Sequence, residues 1–156
     1  MLKTSYKAAM ESRLELVLMK DPRTLPVLLQ AEQFLLEKLP HLRAIYLFGS
    51  FATAYQRRDS DIDLALLGDQ LPSGGDLWLL SQELACLIHR QVDLVDLKQS
   101  STIFRYQVIA EGTRLFTSDP LSSDQFELQT LSRYYHFKEA RKGLVEEYLR
   151  HIAADG

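Results

Sequence analysis

The chain has a single cysteine, Cys86, so no disulfide can form within it and zinc-binding spacing is absent. Flanked by Ala85, Leu87 and Ile88, that thiol is expected to be a small buried hydrophobe rather than a reactive group. No apolar run approaches the roughly 20 residues needed to cross a bilayer. No secretory leader is expected either, since Glu11 and Glu15 interrupt any apolar stretch after Lys3 and Lys7. A reducing, cytoplasmic setting follows. Excess positive charge is also missing: 18 basic side chains face 21 acidic ones, for a net charge of -3. Displacing counterions from phosphates needs a cationic surface, so a nucleic-acid target is not expected. The four histidines, His41, His89, His136 and His151, show no metal-ligand spacing. There is no internal repeat, low-complexity tract or linker long enough to divide the chain.

What is present suits one globular domain, 1–156. Its 156 residues can bury a core without disulfides or a structural metal, and 46% are hydrophobic against 25% charged. A helix is predicted from about Tyr6 to Met19, ended by Asp21-Pro22, and a second from near Thr24 to before Pro40. The run Ala44-Ile45-Tyr46-Leu47-Phe48 has the length and composition of a strand and stops at Gly49-Ser50. A short helix is expected over Phe51 to Tyr55, then a second strand over Asp61 to Leu67, closed by Gly68 and Pro72-Ser73-Gly74-Gly75. A helix from about Asp76 to His89 precedes a third strand, Val92 to Leu97. Another helix, Ile103 to Ala110, is capped by Gly112 and leads to a short strand, Arg114 to Phe116.

Ser122 and Gln125 have capping-box spacing at the start of a long helix reaching about Ile152. Its apolar positions Phe137, Ala140, Leu144, Tyr148 and Ile152 recur at helical spacing and are expected to pack on its own domain. Strands alternating with helices around an apolar sheet indicate an α/β or α+β fold, with helical extensions over 1–39 and 122–153.

Three features carry chemistry. Gly49-Ser50 lies where a buried strand gives way to a helix start, so its backbone can approach a negative ligand and the serine can donate to a phosphate oxygen. On its own such a pair is usually a turn. Asp61 and Asp63 alternate along one strand, so both carboxylates project from one face while Ile62, Leu64 and Leu66 point into the core. Adjacent carboxylates repel unless cations lie between them, and hard oxygen ligands suit magnesium. Asp93 interrupts a run of valine and leucine where an unpaired buried charge would be costly. Beside Asp61 and Asp63 it would complete a three-carboxylate site. Asp96, three positions on, faces the other way and marks the strand end.

Leu47-Phe48-Gly49-Ser50, ten intervening residues, Asp61-Ile62-Asp63-Leu64 and then Val92-Asp93-Leu94-Val95 together resemble the minimal nucleotidyltransferase (MNT) branch of the polymerase-β-like nucleotidyltransferases. The resemblance spans about 43–116 and includes the Glu111-Gly112 turn. Phe51 and Ala54 stand where that branch usually has arginine and glycine. The resemblance implies a polymerase-β-like core, ATP as substrate and two Mg2+ ions held by Asp61, Asp63 and Asp93. Gly49 and Ser50 would grip the β- and γ-phosphates, and Asp93 would also help deprotonate the attacking hydroxyl.

Domains of this branch and size are often antitoxins paired with a HEPN-domain RNase toxin, some transferring AMP from ATP to a toxin tyrosine. The HEPN signature, arginine then four to six residues then histidine, does not occur here. The resemblance thus implies the antitoxin half of such a pair, a protein adenylyltransferase. Two alternatives stay open: transfer to a small molecule such as an aminoglycoside, and a non-catalytic antitoxin that neutralises its partner by occlusion.

Overall fold

The computed structural model describes residue 15, residues 23–49 and residues 61–155. Residue 15 apart, the helix expected over Tyr6 to Met19, the one over Phe51 to Tyr55, and Ser50 lie outside them. Among the described residues, helices α1 (Thr24–Lys38), α2 (Gly74–Ile88), α3 (Thr102–Glu111) and α4 (Pro120–Asp155) surround one four-stranded sheet. Its strands are β1 (Leu42–Phe48), β2 (Ile62–Gly68), β3 (Val92–Asp96) and β4 (Thr113–Thr117), in the spatial order β3-β2-β1-β4. β1 pairs antiparallel with β2 and β4, whereas β2 and β3 run parallel through the α2 crossover.

The two middle strands are nearly continuous apolar runs because helices cover both sheet faces. On one face Ile45, Leu47, Ile62, Leu64, Leu66 and Val92 meet Leu28 and Leu35 of α1 and Leu77, Leu84 and Ile88 of α2. On the other, Ala44, Tyr46, Ala65 and Leu67 pack on Val108 of α3 and Leu97, with Phe48, Phe104 and Phe126 alongside. Strand alternation sorts the side chains: even positions of β2 fill the first core, and odd ones face the second.

Several element ends differ from expectation. Gly74 and Gly75 open α2 rather than closing the preceding strand, and His89 ends it in the left-handed conformation, φ 56°. α4 starts two residues before Ser122. Asp119 caps it by accepting from the Ser122 amide at 3.2 Å, and Pro120 sits in the first turn where no amide partner is needed. Ser122 instead accepts from Arg43 Nη1 at 2.8 Å. Cys86 is exposed, not buried, because it lies on the outer side of α2 while Leu84 and Ile88 take the core side.

The larger departure is in α4. Ser123, Glu127 and Thr130 are buried, but every residue from 135 to 154 is exposed. Phe137, Ala140, Leu144, Tyr148 and Ile152 are exposed rather than packed among the described residues; the sheet ends before the helix does.

Candidate active site

β1 delivers Gly49, and β2 and β3 deliver the acidic residues. Asp63 is the direct Cα partner of Asp93 across the parallel ladder and of Phe48 across the antiparallel one. Neighbouring strands lie about 4.8 Å apart, so the two aspartates start side by side on one sheet face. Val92 and Leu94 turn into the first core, which leaves the intervening Asp93 exposed on the opposite face. Asp96 ends β3 and accepts from the Lys98 amide at 2.9 Å, capping a 3-10 turn over Leu97–Gln99. It takes no part in the cluster.

Asp61 differs in detail from expectation. The ladder begins at Ile62, whose amide donates to the Gln91 carbonyl at 2.9 Å, so Asp61 stands one residue outside the strand, exposed. It still acts on Asp63. Burial, then the negative charge of Asp93, then that of Asp61, pushes the Asp63 carboxyl up to about 6. Among the described residues no three acidic, histidine or cysteine side chains already close around one metal position. The backbone sets Asp63 and Asp93 next to one another.

Gly49 adopts φ 73°, a conformation that favours glycine. A Cβ there would fall 2.0 Å from Asp63 Oδ2, so the turn and the carboxylate share a space only glycine leaves free. Crowded acidic oxygens beside a glycine turn suit divalent cations and a polyphosphate chemically. Ser50, Phe51 and Ala54 are outside the described residues.

Apart from Gly112, the supports of the site are not legible in the sequence. Phe104 of α3 meets Phe48 edge-on, with ring centroids 5.4 Å apart, and so braces the strand end beside Asp63. Gly112 is extended at the end of α3, where a Cβ would lie 2.7 Å from the Leu47 carbonyl. Deeper in β1, Tyr46 donates to Glu127 Oε1 at 2.7 Å, and Arg114 Nη1 reaches Glu127 and Asp124 at 2.9 Å each. This network ties α4 and β4 to the strand that carries Gly49. The one sequence signal is polar Tyr46 within an otherwise apolar run.

A mixed sheet with a glycine turn at one strand end and paired aspartates on the next two strands defines a nucleotidyltransferase core. The chain belongs to the family described as polymerase beta, nucleotidyltransferase, which matches residues 32–121. Within that family it is 34% identical over 122 residues to a Shewanella oneidensis protein named protein adenylyltransferase MntA, covering 78% of this chain and 87% of the relative. A chain from a solved toxin–antitoxin complex with AMP-PNP superposes with a TM-score of 0.68 at 33% identity, covering 77% of this chain and 96% of its own. A second, from a complex of tri-AMPylated Shewanella oneidensis HEPN toxin with MNT antitoxin, gives 0.64 at 31% identity, covering 79% and 98%. Among the described residues no helix is long and apolar enough to cross a membrane.

Proposed function

We propose that this chain is the antitoxin of a HEPN–MNT pair, a protein adenylyltransferase that moves AMP from ATP to a tyrosine hydroxyl of a HEPN RNase toxin. The observation that carries the chemistry is the pairing of Asp63 with Asp93 beside the Gly49 turn. The relatives named for adenylyl transfer, and the AMPylated toxin in a related complex, support the choice of acceptor. A cytoplasmic setting goes with that partner.

Asp61, Asp63 and Asp93 would hold two magnesium ions, which when bound offset the triphosphate's charge and stabilise charge developing on the entering and leaving oxygens. Asp63, raised to about 6 by burial and then by the charges of Asp93 and Asp61, is relieved of that repulsion when a cation shares its oxygens. Gly49 lets the main chain come close to the β- and γ-phosphates, and Ser50 donates to a phosphate oxygen. Asp93, exposed where Asp63 is half-buried, accepts the proton of the attacking hydroxyl. The tyrosine oxygen bonds to the α-phosphorus as the bond to the β-phosphate bridging oxygen breaks, and pyrophosphate leaves.

The test is intact mass of a HEPN partner after incubation with this chain, ATP and magnesium. Addition of AMP residues is expected, and Asp61→Asn with Asp63→Asn should abolish it. Labelling unchanged in that double variant would show that the site lies elsewhere. Protection of cells by an Asp61, Asp63, Asp93 triple variant would point to occlusion instead.

A further inference from the structure

Beside the acidic cluster stands an aromatic pair that adenylyl transfer, as proposed, does not use. Register places Phe48 directly across from Asp63, and Asp63 across from Asp93. Strand alternation puts all three on the sheet face away from the first core, so the row there reads Asp93, Asp63, Phe48. Strands about 4.8 Å apart set Phe48 next to the central carboxylate, with Asp93 on its far side. Phe104, in the first turn of α3, meets the Phe48 ring edge-on, with centroids 5.4 Å apart and planes at 89°. Both rings lie against the second core yet are only half-buried. An edge-on pair uses an edge of one ring and a face of the other, so stacking surface is left.

The order of the row selects the ligand. With Asp93 taking the proton, the attacking hydroxyl enters from the β3 side, which is an edge of the sheet. Pyrophosphate leaves toward Gly49. The nucleoside hangs from the α-phosphorus between these two paths, so it has to rise off the sheet face. The wall beside Asp63 on that face is the Phe48–Phe104 pair. Aromatic rings hold bases by stacking, and the fused rings of a purine offer more area than a pyrimidine. We propose that Phe48 and Phe104 form the platform for the base of the nucleotide, that Phe104 is the ring that stacks, and that the platform favours purines. The inference rests on the acidic cluster being the nucleotide site.

Calorimetric titration of the full chain with AMP-PNP and with inorganic tripolyphosphate, each with magnesium, separates the base from the phosphates. Phe104→Ala is expected to weaken AMP-PNP by about 10- to 100-fold, the range for one stacked base, and to leave tripolyphosphate unchanged. Phe104→Trp should keep AMP-PNP affinity, whereas Phe104→Leu, which retains apolar bulk without a ring, should not. Uridine triphosphate should bind the wild type more weakly than ATP, and Phe104→Ala should narrow that gap. Unchanged AMP-PNP affinity in Phe104→Ala, full affinity in Phe104→Leu, or an equal loss of tripolyphosphate would each overturn the inference, the last by showing a general disturbance of the site. So would a Phe104→Ala chain that holds AMP-PNP normally but needs more toxin for half-maximal labelling, which would assign the pair to the acceptor ring. Tripolyphosphate binding that Asp61→Asn with Asp63→Asn leaves intact would remove the nucleotide site itself, and the platform with it, so the two failures read differently.

Discussion

Gly49 and Asp63 compete for one volume: a methyl group on the glycine would lie 2.0 Å from Oδ2 of the aspartate. The strand end and the acidic cluster are therefore a single construction. Replacing Gly49 with alanine adds a side chain at φ 73° and forces the Asp63 carboxylate away from its neighbours. The backbone strain costs about 1 kcal/mol, because a left-handed residue with a Cβ is disfavoured by that order. The larger effect is on catalysis. Displacing one ligand by about 1 Å is expected to lower kcat by at least about 100-fold, read as the rate of AMP addition to the toxin. A Gly49→Ala chain that labels at the wild-type rate would separate the turn from the site.

The raised Asp63 carboxyl makes stability depend on pH in a direction that can be worked out. Its folded value is about 6 against 3.8 ordinarily, so the group favours the fold below about pH 4 and that contribution is lost as pH rises through 6. A shift of that size amounts to about 3 kcal/mol undiscounted, and partial solvent exposure reduces it to about 1 kcal/mol. Without divalent cations at pH 7.5, Asp63→Asn should therefore raise Tm by about 2–4 °C. At pH 4 the gain should vanish. Magnesium should raise the wild-type Tm and leave the Asn variant nearly unmoved. Equal melting temperatures of the two proteins at both pH values would mean that the Asp63 carboxyl is not held above its ordinary range.

Asp93 and Asp96 lie three residues apart on β3 yet serve different ends. Asp93 is beside Asp63, whereas Asp96 caps the following 3-10 turn. Asp93→Ala is expected to lower the labelling rate by about 1,000-fold, equivalent to about 4 kcal/mol of barrier, with little change in stability because the side chain is exposed. Asp96→Ala should do the reverse, costing about 1 kcal/mol of stability as a lost cap and sparing activity. Parallel melts and labelling rates for both variants check the division.

The parts of this molecule readable from sequence are those governed by local periodicity. The buried strands announce themselves as apolar runs, and alternation places Asp63 away from the first core and Asp96 opposite Asp93. Asp61 was one residue outside the ladder because the first hydrogen bond belongs to Ile62 and Gln91, a pairing between segments that local pattern does not encode. Cys86 was misplaced since its apolar neighbours describe the helix as a whole, not its outer side. For α4, helical spacing revealed an apolar stripe correctly but carried no information on where the sheet stops. The Tyr46–Glu127 bond joins residues 81 apart in the chain and has no local signature.

That bond makes the last prediction. Glu127 is 3% exposed, and burial raises its carboxyl above the usual range despite Tyr46 and Arg114 pulling it down. Its folded value being raised, the group favours folding most at low pH and loses that contribution as pH climbs through the folded value. The partners limit the loss. Tyr46→Phe removes one donor and leaves Arg114 in place, so a cost of about 1–2 kcal/mol is expected. Arg114→Met leaves Glu127 buried without its cation and should cost about 3–5 kcal/mol at pH 8. Protonation relieves an unpaired carboxylate, so the Arg114→Met penalty should shrink as pH falls to 5. Urea melts of both variants at pH 5 and 8 read this directly. A penalty for Arg114→Met that is the same at both values would mean Glu127 is already neutral in the wild-type fold, and the network would then be a set of neutral hydrogen bonds rather than an ion pair holding α4 to β4.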